Sequence, residues 1–281
     1  MNIGFYPGCS LQGTAREYNE SVKAIAEAFD IELKEIEDWN CCGASAAHAV
    51  NKGLSLALPA RILALAEKQG LSEVVVPCAA CFNRLAVAQH ELNEDAEKKS
   101  ETEKAIEMTF HNNVKIINVI QFIDKYIKDK IVDKMTRKFD HKVACYYGCL
   151  LVRPHKIIGF DRVEDPTSMD ELMTMIGATS LDWGFKTECC GASLSIARTD
   201  LVAKLSGNIM KDASDRGVEA IIVACPMCHS NLDMRRPQID EYVGKEISTP
   251  VIYITQAIGL AVGVTPEKLG LQRHFVKVNT L

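Results

Sequence analysis

Ten of the eleven cysteines in this 281-residue chain fall into two copies of one pattern. Each copy has a single cysteine, then an adjacent pair followed by glycine, alanine and serine, and then a Cys-x-x-Cys. Matching cysteines are 140, 148, 148, 147 and 147 residues apart, so one shift with a short length change in one loop superimposes the copies. The pattern therefore indicates a duplicated metal-binding module. Its members are Cys9, Cys41, Cys42, Cys78 and Cys81 in the first half, and Cys149, Cys189, Cys190, Cys225 and Cys228 in the second.

Five thiols in each half favour an iron–sulfur cluster. Thiolates are soft ligands, which suit iron–sulfur clusters and zinc better than hard cations. A structural zinc ion takes four ligands, and an ordinary cubane cluster also takes four thiolates. A fifth thiol suggests a cluster with an irregular core, or a pair of irons bridged by a thiolate. Zinc and dithiol redox chemistry remain as alternatives, whereas a disulfide framework does not suit a large chain with an odd number of cysteines and no export signal.

Three residues near the pattern could have a purely structural role. Gly43 and Gly191 follow the cysteine pairs, where the backbone must turn sharply and approach a cluster closely, although they could simply begin helices. Cys145 has no counterpart in the first half, where Phe5 stands instead. On a strand, such a cysteine is expected to be a small buried side chain rather than a ligand.

Two histidines are weaker candidates. His229 directly follows Cys228 and could protonate a departing thiolate or bond a cluster sulfide. Its counterpart in the first half is Phe82, so the repeat does not require a histidine there, and a surface or supporting role is the alternative. For His48, after the first cysteine pair, we expect a packing role.

Predicted elements place the cysteines at the ends of strands. Strands alternate with helices, which implies parallel sheets with helices on their faces, and sites in such sheets gather at the carboxyl ends of strands. We therefore expect two tandem, pseudo-symmetric Rossmann-like α/β domains, over residues 1–133 and 134–281, joined by the polar connection 134–141. Strands are predicted over residues 2–6, 31–36, 73–77, 114–119, 142–147, 220–225 and 251–254. Helices are predicted over residues 14–29, 54–68, 83–90, 121–130, 166–176, 203–216 and 256–260. The charged residues 91–104 are expected to continue the third of these helices as a solvated face, or to form a mobile excursion.

Composition excludes several classes of function. The chain is 47% hydrophobic and 25% charged, as in globular proteins, and its formal charge of -5 argues against a nucleic-acid partner. The N-terminus lacks the basic and apolar regions of a signal peptide, which predicts a cytoplasmic location. No stretch approaches the roughly 18 uninterrupted apolar residues of a membrane helix, so any membrane contact is expected to go through a partner.

At the cysteine pattern the chain resembles the family formed by the B subunit of heterodisulfide reductase, whose paired cysteine-rich domains carry Cys-Cys-Gly and Cys-x-x-Cys. The resemblance spans nearly the whole chain and includes the runs from Asp38 to Gly43 and from Pro77 to Arg84. It implies one noncubane [4Fe-4S] cluster in each domain, held by the five cysteines of that half. The two clusters would face each other across a pseudo-twofold interface, with the disulfide of coenzyme M and coenzyme B between them.

The resemblance also implies partners. Electrons would come from a flavin-bearing subunit through a small iron–sulfur subunit of the same complex, with a hydrogenase or formate dehydrogenase module beyond. This chain has no Gly-x-Gly-x-x-Gly after a strand, so we expect no flavin site of its own. Relatives with the same domains serve lactate, glycerol-phosphate, succinate and thiol–fumarate oxidoreductases. Membership of a complex of that kind, or a non-catalytic relay role, is therefore the competing hypothesis.

An anionic substrate would need cations, and several follow the cysteine motifs, although most are expected to be surface charges. Trp39 and Trp183 stand at similar positions before the cysteine pairs and could shield the clusters or pack in the core. The cations are Arg84, Arg153, Lys156, Arg198, Arg235 and Arg236.

Overall fold

The computed structural model describes residues 2–44, 46–278 and 281, so Ser45 of the first repeat lies outside the described part. In chain order the strands are β1 (Asn2–Phe5), β2 (Glu32–Glu35), β3 (Glu73–Val75), β4 (Lys115–Ile117), β5 (Lys142–Tyr146), β6 (Thr179–Ser180), β7 (Ala220–Val223) and β8 (Val251–Tyr253). The helices are α1 (Gly8–Gln12), α2 (Arg16–Ala28), α3 (Ala47–Val50), α4 (Lys52–Lys68), α5 (Ala79–Glu94), α6 (Ala96–Ile106), α7 (Val119–Tyr126), α8 (Lys128–Lys134), α9 (His155–Ile158), α10 (Ser168–Met175), α11 (Thr199–Asp215), α12 (Pro226–His229), α13 (Arg236–Val243) and α14 (Ile254–Ala261).

Two four-stranded, all-parallel sheets form the core. Their strand orders are β2-β1-β3-β4 and β6-β5-β7-β8, so the second sheet repeats the first. The central strands β5 and β7 are apolar and buried almost throughout, as expected for strands covered by helices on both faces. The structure thus confirms two tandem α/β units with parallel sheets flanked by helices.

The topology determines where a site can form. In the first sheet the chain passes from β1 to one side and later from β3 to the other, and β5 and β7 repeat this in the second sheet. Such a switch point leaves a crevice at the carboxyl ends of the two central strands. In both units the single cysteine and the Cys-x-x-Cys follow these two strands.

The helix predicted over residues 83–104 is instead two helices. α5 begins earlier, at Ala79, and ends at Glu94. Asp95 is extended (φ −133°, ψ 99°), and its carboxylate accepts hydrogen bonds from the N–H groups of Glu97 and Lys98, which caps α6. The prediction of one continuous helix was wrong. Asp95 ends one helix and caps the next, but in the sequence it is one more charged residue in a charged run, so the break leaves no visible signal.

The two units pack closely together. α2 of the first lies against α14 of the second, and α5 lies against α9. At the first contact the rings of Tyr18 and Tyr253 stack with centroids 3.9 Å apart, and the hydroxyls of Ser21 and Thr255 are 2.7 Å apart. The connecting segment packs on the second unit, because Phe139 is buried and its N–H donates to Ile176. A domain boundary at residues 133 and 134 stays a prediction.

Within the described residues, no helix is both long enough and apolar enough to cross a membrane.

Candidate functional site

The five cysteines of the first half come together at the switch point between β1 and β3, and we call them the first thiol site. The sulfurs of Cys42 and Cys81 are 3.2 Å apart, and those of Cys9 and Cys41 are 3.8 Å apart. Cys78 directly precedes α5 and is buried, as is Cys81 in the first turn of that helix.

The second half builds an equivalent second thiol site between β5 and β7. The sulfurs of Cys190 and Cys228 are 3.7 Å apart, and the thiols of Cys149 and Cys189 are close enough to shift each other's pKa. Cys225 and Cys228 are buried, like their counterparts. The structure therefore brings the five repeated cysteines of each half together in one site.

Glycines shape both sites. Gly43 and Gly191 have φ angles of +74° and +77°, and their N–H groups donate to the sulfurs of Cys41 and Cys189 over 3.4 and 3.3 Å. The chain therefore needs glycine after each pair for its left-handed turn, as predicted. Gly191 also caps a short 3₁₀ turn (Ala192–Leu194), so the helix-start alternative describes part of its role.

The two thiol sites meet across the interface between the units. The thiols of Cys78 and Cys225 are close enough to shift each other's pKa, and both residues are buried. The hydroxyl of Tyr18 lies 3.3 Å from the carbonyl oxygens of Pro77 and Ala224, the residues directly before these two cysteines. One tyrosine therefore supports both sites at the interface between the units.

Replacing Tyr18 by phenylalanine is expected to lower the free energy of unfolding by about 1–2 kcal/mol, because two buried carbonyls lose their shared donor. Urea denaturation would measure the change. Tyr242→Phe is the matched control, since Tyr242 is 46% exposed and its hydroxyl donates to the side chain of Asn208 at the surface, so its cost should stay within about 0.5 kcal/mol. Equal losses in the two variants would contradict the bridging role of Tyr18.

The pKa values of the thiols differ within each site. Hydrogen bonds from Cys149 and from the N–H of Gly191 lower the pKa of Cys189 to about 6. Contact with Cys190 and burial raise the pKa of Cys228, and contact with Cys42 and burial raise that of Cys81. So many close thiols cannot all be anionic without a bound cation, whereas a thiol that coordinates metal is deprotonated. The donor set therefore fits a cationic metal centre.

A cavity of about 200 Å³ opens over the second thiol site. All five thiols of that site line it, together with small side chains and two basic residues from the first unit. The first-unit residues are Ala44, His48, Ala79, Ala80 and Arg84.

His48 is exposed and lies at this cavity, so the predicted packing role for it was wrong. Its short helix α3 lies at the surface and leaves little apolar surface for a histidine to cover.

His229 points away from both sites. Its Nε2 lies 3.1 Å from the carbonyl oxygen of Val251 and 3.0 Å from Nδ1 of His274, and its ring stacks on Tyr253. Burial lowers the pKa of His229 to about 3, so the ring is neutral. These contacts favour a structural role, and its part in protonating a thiolate stays a prediction without geometric support.

Of the six cations singled out from the sequence, only Arg84 lines the cavity over the second thiol site. Arg153 and Arg198 form ion pairs with Glu164 and Asp200. Arg235 donates to the carbonyl of Ser195, and Arg236 is buried and donates to three backbone carbonyls. Lys156 lies at a separate surface groove.

Two tyrosines whose role was not predicted from the sequence hold the loops before the cysteine pairs. Tyr6 donates to the carbonyl of Asn40 over 2.8 Å, and Tyr146 donates to that of Glu188 over 2.6 Å. The sequence could have pointed to both tyrosines, because each stands at the same position before a Gly-Cys in its half.

The two tryptophans lie beside these tyrosines. Trp39 packs edge-on against Tyr6, and its Nε1 donates to Glu35, while Trp183 is buried and donates to Asp212.

Cys145 lies outside both thiol sites. It is fully buried on β5, and its sulfur is 3.6 Å from the hydroxyl of Ser180. This placement matches the expected small buried side chain.

The fold and the two thiol sites define a duplicated α/β protein with paired multi-thiol centres. The family model described as "Cysteine-rich domain" matches residues 3–86 and 143–233, which contain the ten paired cysteines. The chain therefore belongs to the cysteine-rich domain family.

Full-length relatives carry two different names. The chain is 30% identical to the B subunit of the ferredoxin:CoB-CoM heterodisulfide reductase of Methanosarcina mazei, over 98% of this chain and 94% of that protein. It is 29% identical to the "8-methylmenaquinol:fumarate reductase membrane anchor subunit" of Wolinella succinogenes, over 99% of this chain and 98% of that protein. A crystal structure of a hypothetical protein from Helicobacter pylori shares the fold, with a TM-score of 0.81 at 12% identity, covering 100% of this chain and 53% of that one.

Proposed function

We propose that this chain is the disulfide-reducing subunit of a heterodisulfide reductase, with one [4Fe-4S] cluster of noncubane type in each unit. The observation that carries the proposal is the meeting of two complete five-thiol sites at one interface, where one tyrosine hydroxyl contacts the residues before Cys78 and Cys225. A relay needs only four thiolates for each cluster, so five in both halves favour chemistry at the clusters.

The ligands would be the ten repeated cysteines. Cys9, Cys41, Cys42, Cys78 and Cys81 would hold the first cluster, and Cys149, Cys189, Cys190, Cys225 and Cys228 the second. When bound, the clusters would supply electrons one at a time and a Lewis-acidic iron for sulfur.

The side chains of this chain would prepare the site. Cys78, Cys81, Cys225 and Cys228 are buried and would be shielded from bulk water, while Tyr6 and Tyr146 hold the loops that carry the cysteine pairs. The overall reaction, R–S–S–R′ + 2 e⁻ + 2 H⁺ → R–SH + R′–SH, breaks one S–S bond with two electrons. Two one-electron centres at one interface suit that stoichiometry.

The substrate and partners of the proposal come from the relatives' names and the family resemblance. The Methanosarcina relative supports the disulfide of coenzyme M and coenzyme B as the substrate. Electrons would arrive through a small iron–sulfur subunit from a flavin-bearing subunit, with a hydrogenase or formate dehydrogenase module beyond.

The Wolinella relative favours a second candidate function. In a fumarate reductase of that type, this chain would pass electrons between a membrane carrier and partner subunits, with no substrate chemistry of its own.

Anaerobic oxidation of reduced methyl viologen by the iron-loaded chain would distinguish the two. With the coenzyme M–coenzyme B disulfide as acceptor, we expect turnover that depends on the disulfide. Protein with about eight irons per chain, as two four-iron clusters require, but no turnover would contradict disulfide reduction and leave the electron-transfer role. Fumarate serves as the negative-control acceptor.

A further inference from the structure

The cavity over the second thiol site is electrostatically one-sided. Its lining from the second unit is five thiols with Tyr147, Leu150, Met227 and small side chains, and its only permanent cation among the described residues is Arg84 of the first unit. No carboxylate of the described residues lines it. The cavity therefore presents a guanidinium that no acidic side chain of its wall neutralises.

Arg84 also has an unmet hydrogen-bonding group. Its Nε is buried from water and has no hydrogen-bond partner among the described residues. A buried donor without an acceptor costs free energy, and a guanidinium presents its donors as a planar fork that matches a carboxylate, sulfonate or phosphate. The side chain as a whole remains partly exposed, so a small molecule can reach it.

The two halves differ at this position although they match at their cysteines. Arg84 stands three residues after Cys81, and Asn231 stands three residues after Cys228. The amide of Asn231 donates to the carbonyl of Cys190 over 2.9 Å and lies 3.8 Å from its sulfur, so it supports the thiol site of its own unit. Arg84 makes no equivalent contact and instead lines a cavity of the other unit.

The two halves also differ at the position of His48. His48 stands six residues after Cys42, and its counterpart six residues after Cys190 is Ile196, which is 96% exposed. His48 lines the cavity over the second thiol site, while Ile196 lines a wider, open groove of about 530 Å³ with Asn231 and Arg235. Arg235 is already occupied by the carbonyl of Ser195. The cavity over the second thiol site thus offers a guanidinium whose buried Nε has no acceptor among the described residues, whereas the guanidinium at the Ile196 groove already donates to a backbone carbonyl.

We infer that Arg84 binds the anionic group of one arm of the substrate, so that this arm is placed at the second thiol site. The inference rests on the proposed function and adds to it the residue that orients an unsymmetrical disulfide, through the anionic group of one of its arms. At the matching positions of the second unit stand the uncharged Asn231 and Ile196, so the repeat does not supply a second cation equivalent to Arg84. Arg84 thereby determines which arm faces which site.

The test compares two thiols of nearly equal size, 3-mercaptopropionate and the neutral 3-mercapto-1-propanol. Their dissociation constants for the iron-loaded chain would be measured by calorimetry and by changes in the EPR spectrum. We expect the wild-type chain to prefer the anionic thiol, and Arg84→Gln to weaken its binding about tenfold or more without changing that of the neutral thiol. Arg84→Lys should recover part of the affinity, because it keeps the charge but loses the fork.

Arg198→Gln is the matched control, since Arg198 is paired with Asp200 at the surface and does not line the cavity. Equal binding of the two thiols by the wild type, or an equal loss for both in Arg84→Gln, would overturn the inference. So would unchanged thiol affinities with a lowered midpoint potential of one cluster, because Arg84 would then serve the cluster instead. A chain that takes up no iron would overturn the proposed function itself.

Discussion

Replacing Cys189 by serine is expected to abolish disulfide reduction and to remove iron from the second thiol site while the first keeps its cluster. Cys189 is the exposed thiol of its pair, and contact with Cys149 and the hydrogen bond from Gly191 lower its pKa to about 6, so it is ready to bind metal as a thiolate. A serine hydroxyl is a hard ligand that stays protonated, and it cannot replace a soft thiolate. Iron content should fall to about half, as expected when one of two four-iron clusters is lost.

Cys145→Ser supplies the matched control for this experiment. Cys145 is fully buried in the same unit, but its sulfur faces the hydroxyl of Ser180 and not the second thiol site. This variant should keep both its iron and its viologen-dependent turnover, at a cost in stability alone. Full activity in Cys189→Ser would contradict a need for both clusters, and iron loss in Cys145→Ser would contradict the assignment of the second thiol site.

The parts of the fold that the sequence predicted best are the buried strands and the cysteines that come after them. β3 and β7 lie in runs of β-branched residues, and the cysteines beyond them lie at the carboxyl ends of the sheets as expected. The duplication made both predictions stronger, because each half repeated the same order of elements. Such signals are local, so they can be recognised without knowledge of the tertiary structure.

The features that the sequence did not predict depend on contacts between distant residues. Tyr18 is 59 residues from Pro77 and 206 from Ala224, yet one hydroxyl joins them at the interface. His48 and Arg84 become cavity residues only because the first unit packs over the second thiol site. The short strand β6 and the single-turn helix α9 are also too brief to leave a periodic signal.

Comparing the two halves separates the residues that both halves share from the residues that differ between them. The cysteines, the glycines after the pairs and the two loop tyrosines match between the halves, which is what a common cluster-binding role would require. Arg84 and His48 do not match their counterparts Asn231 and Ile196, and both lie at the cavity. The residues that the two halves share thus fit the proposed cluster binding and electron transfer. The residues that differ, Arg84 and His48, fit a role in binding the substrate.

Replacing Gly148 by alanine should separate backbone strain from damage to the second thiol site. Gly148 has a φ of +67°, and a Cβ there would lie 3.0 Å from the sulfur of Cys228, closer than ordinary van der Waals contact. Gly217, in the same unit, has the same φ of +67° but nothing within 4 Å of an added Cβ. Both alanine variants should lose about 1–2 kcal/mol of folding free energy from the left-handed backbone.

Only Gly148→Ala should also lose iron, because the new methyl group displaces the sulfur of a proposed ligand. Urea denaturation measures the shared loss of stability, and iron content with the EPR spectrum measures the difference between the variants. The first unit offers an independent repeat, since a Cβ at Gly8 would lie 3.0 Å from the sulfur of Cys81, while Gly70, at φ +70°, has open space. If the Gly148 and Gly217 variants lost the same amount of iron, the close approach of backbone to thiol would have no part in cluster binding. If both pairs diverged as expected, the glycine before the first cysteine of each half would be required by the cluster as well as by the turn.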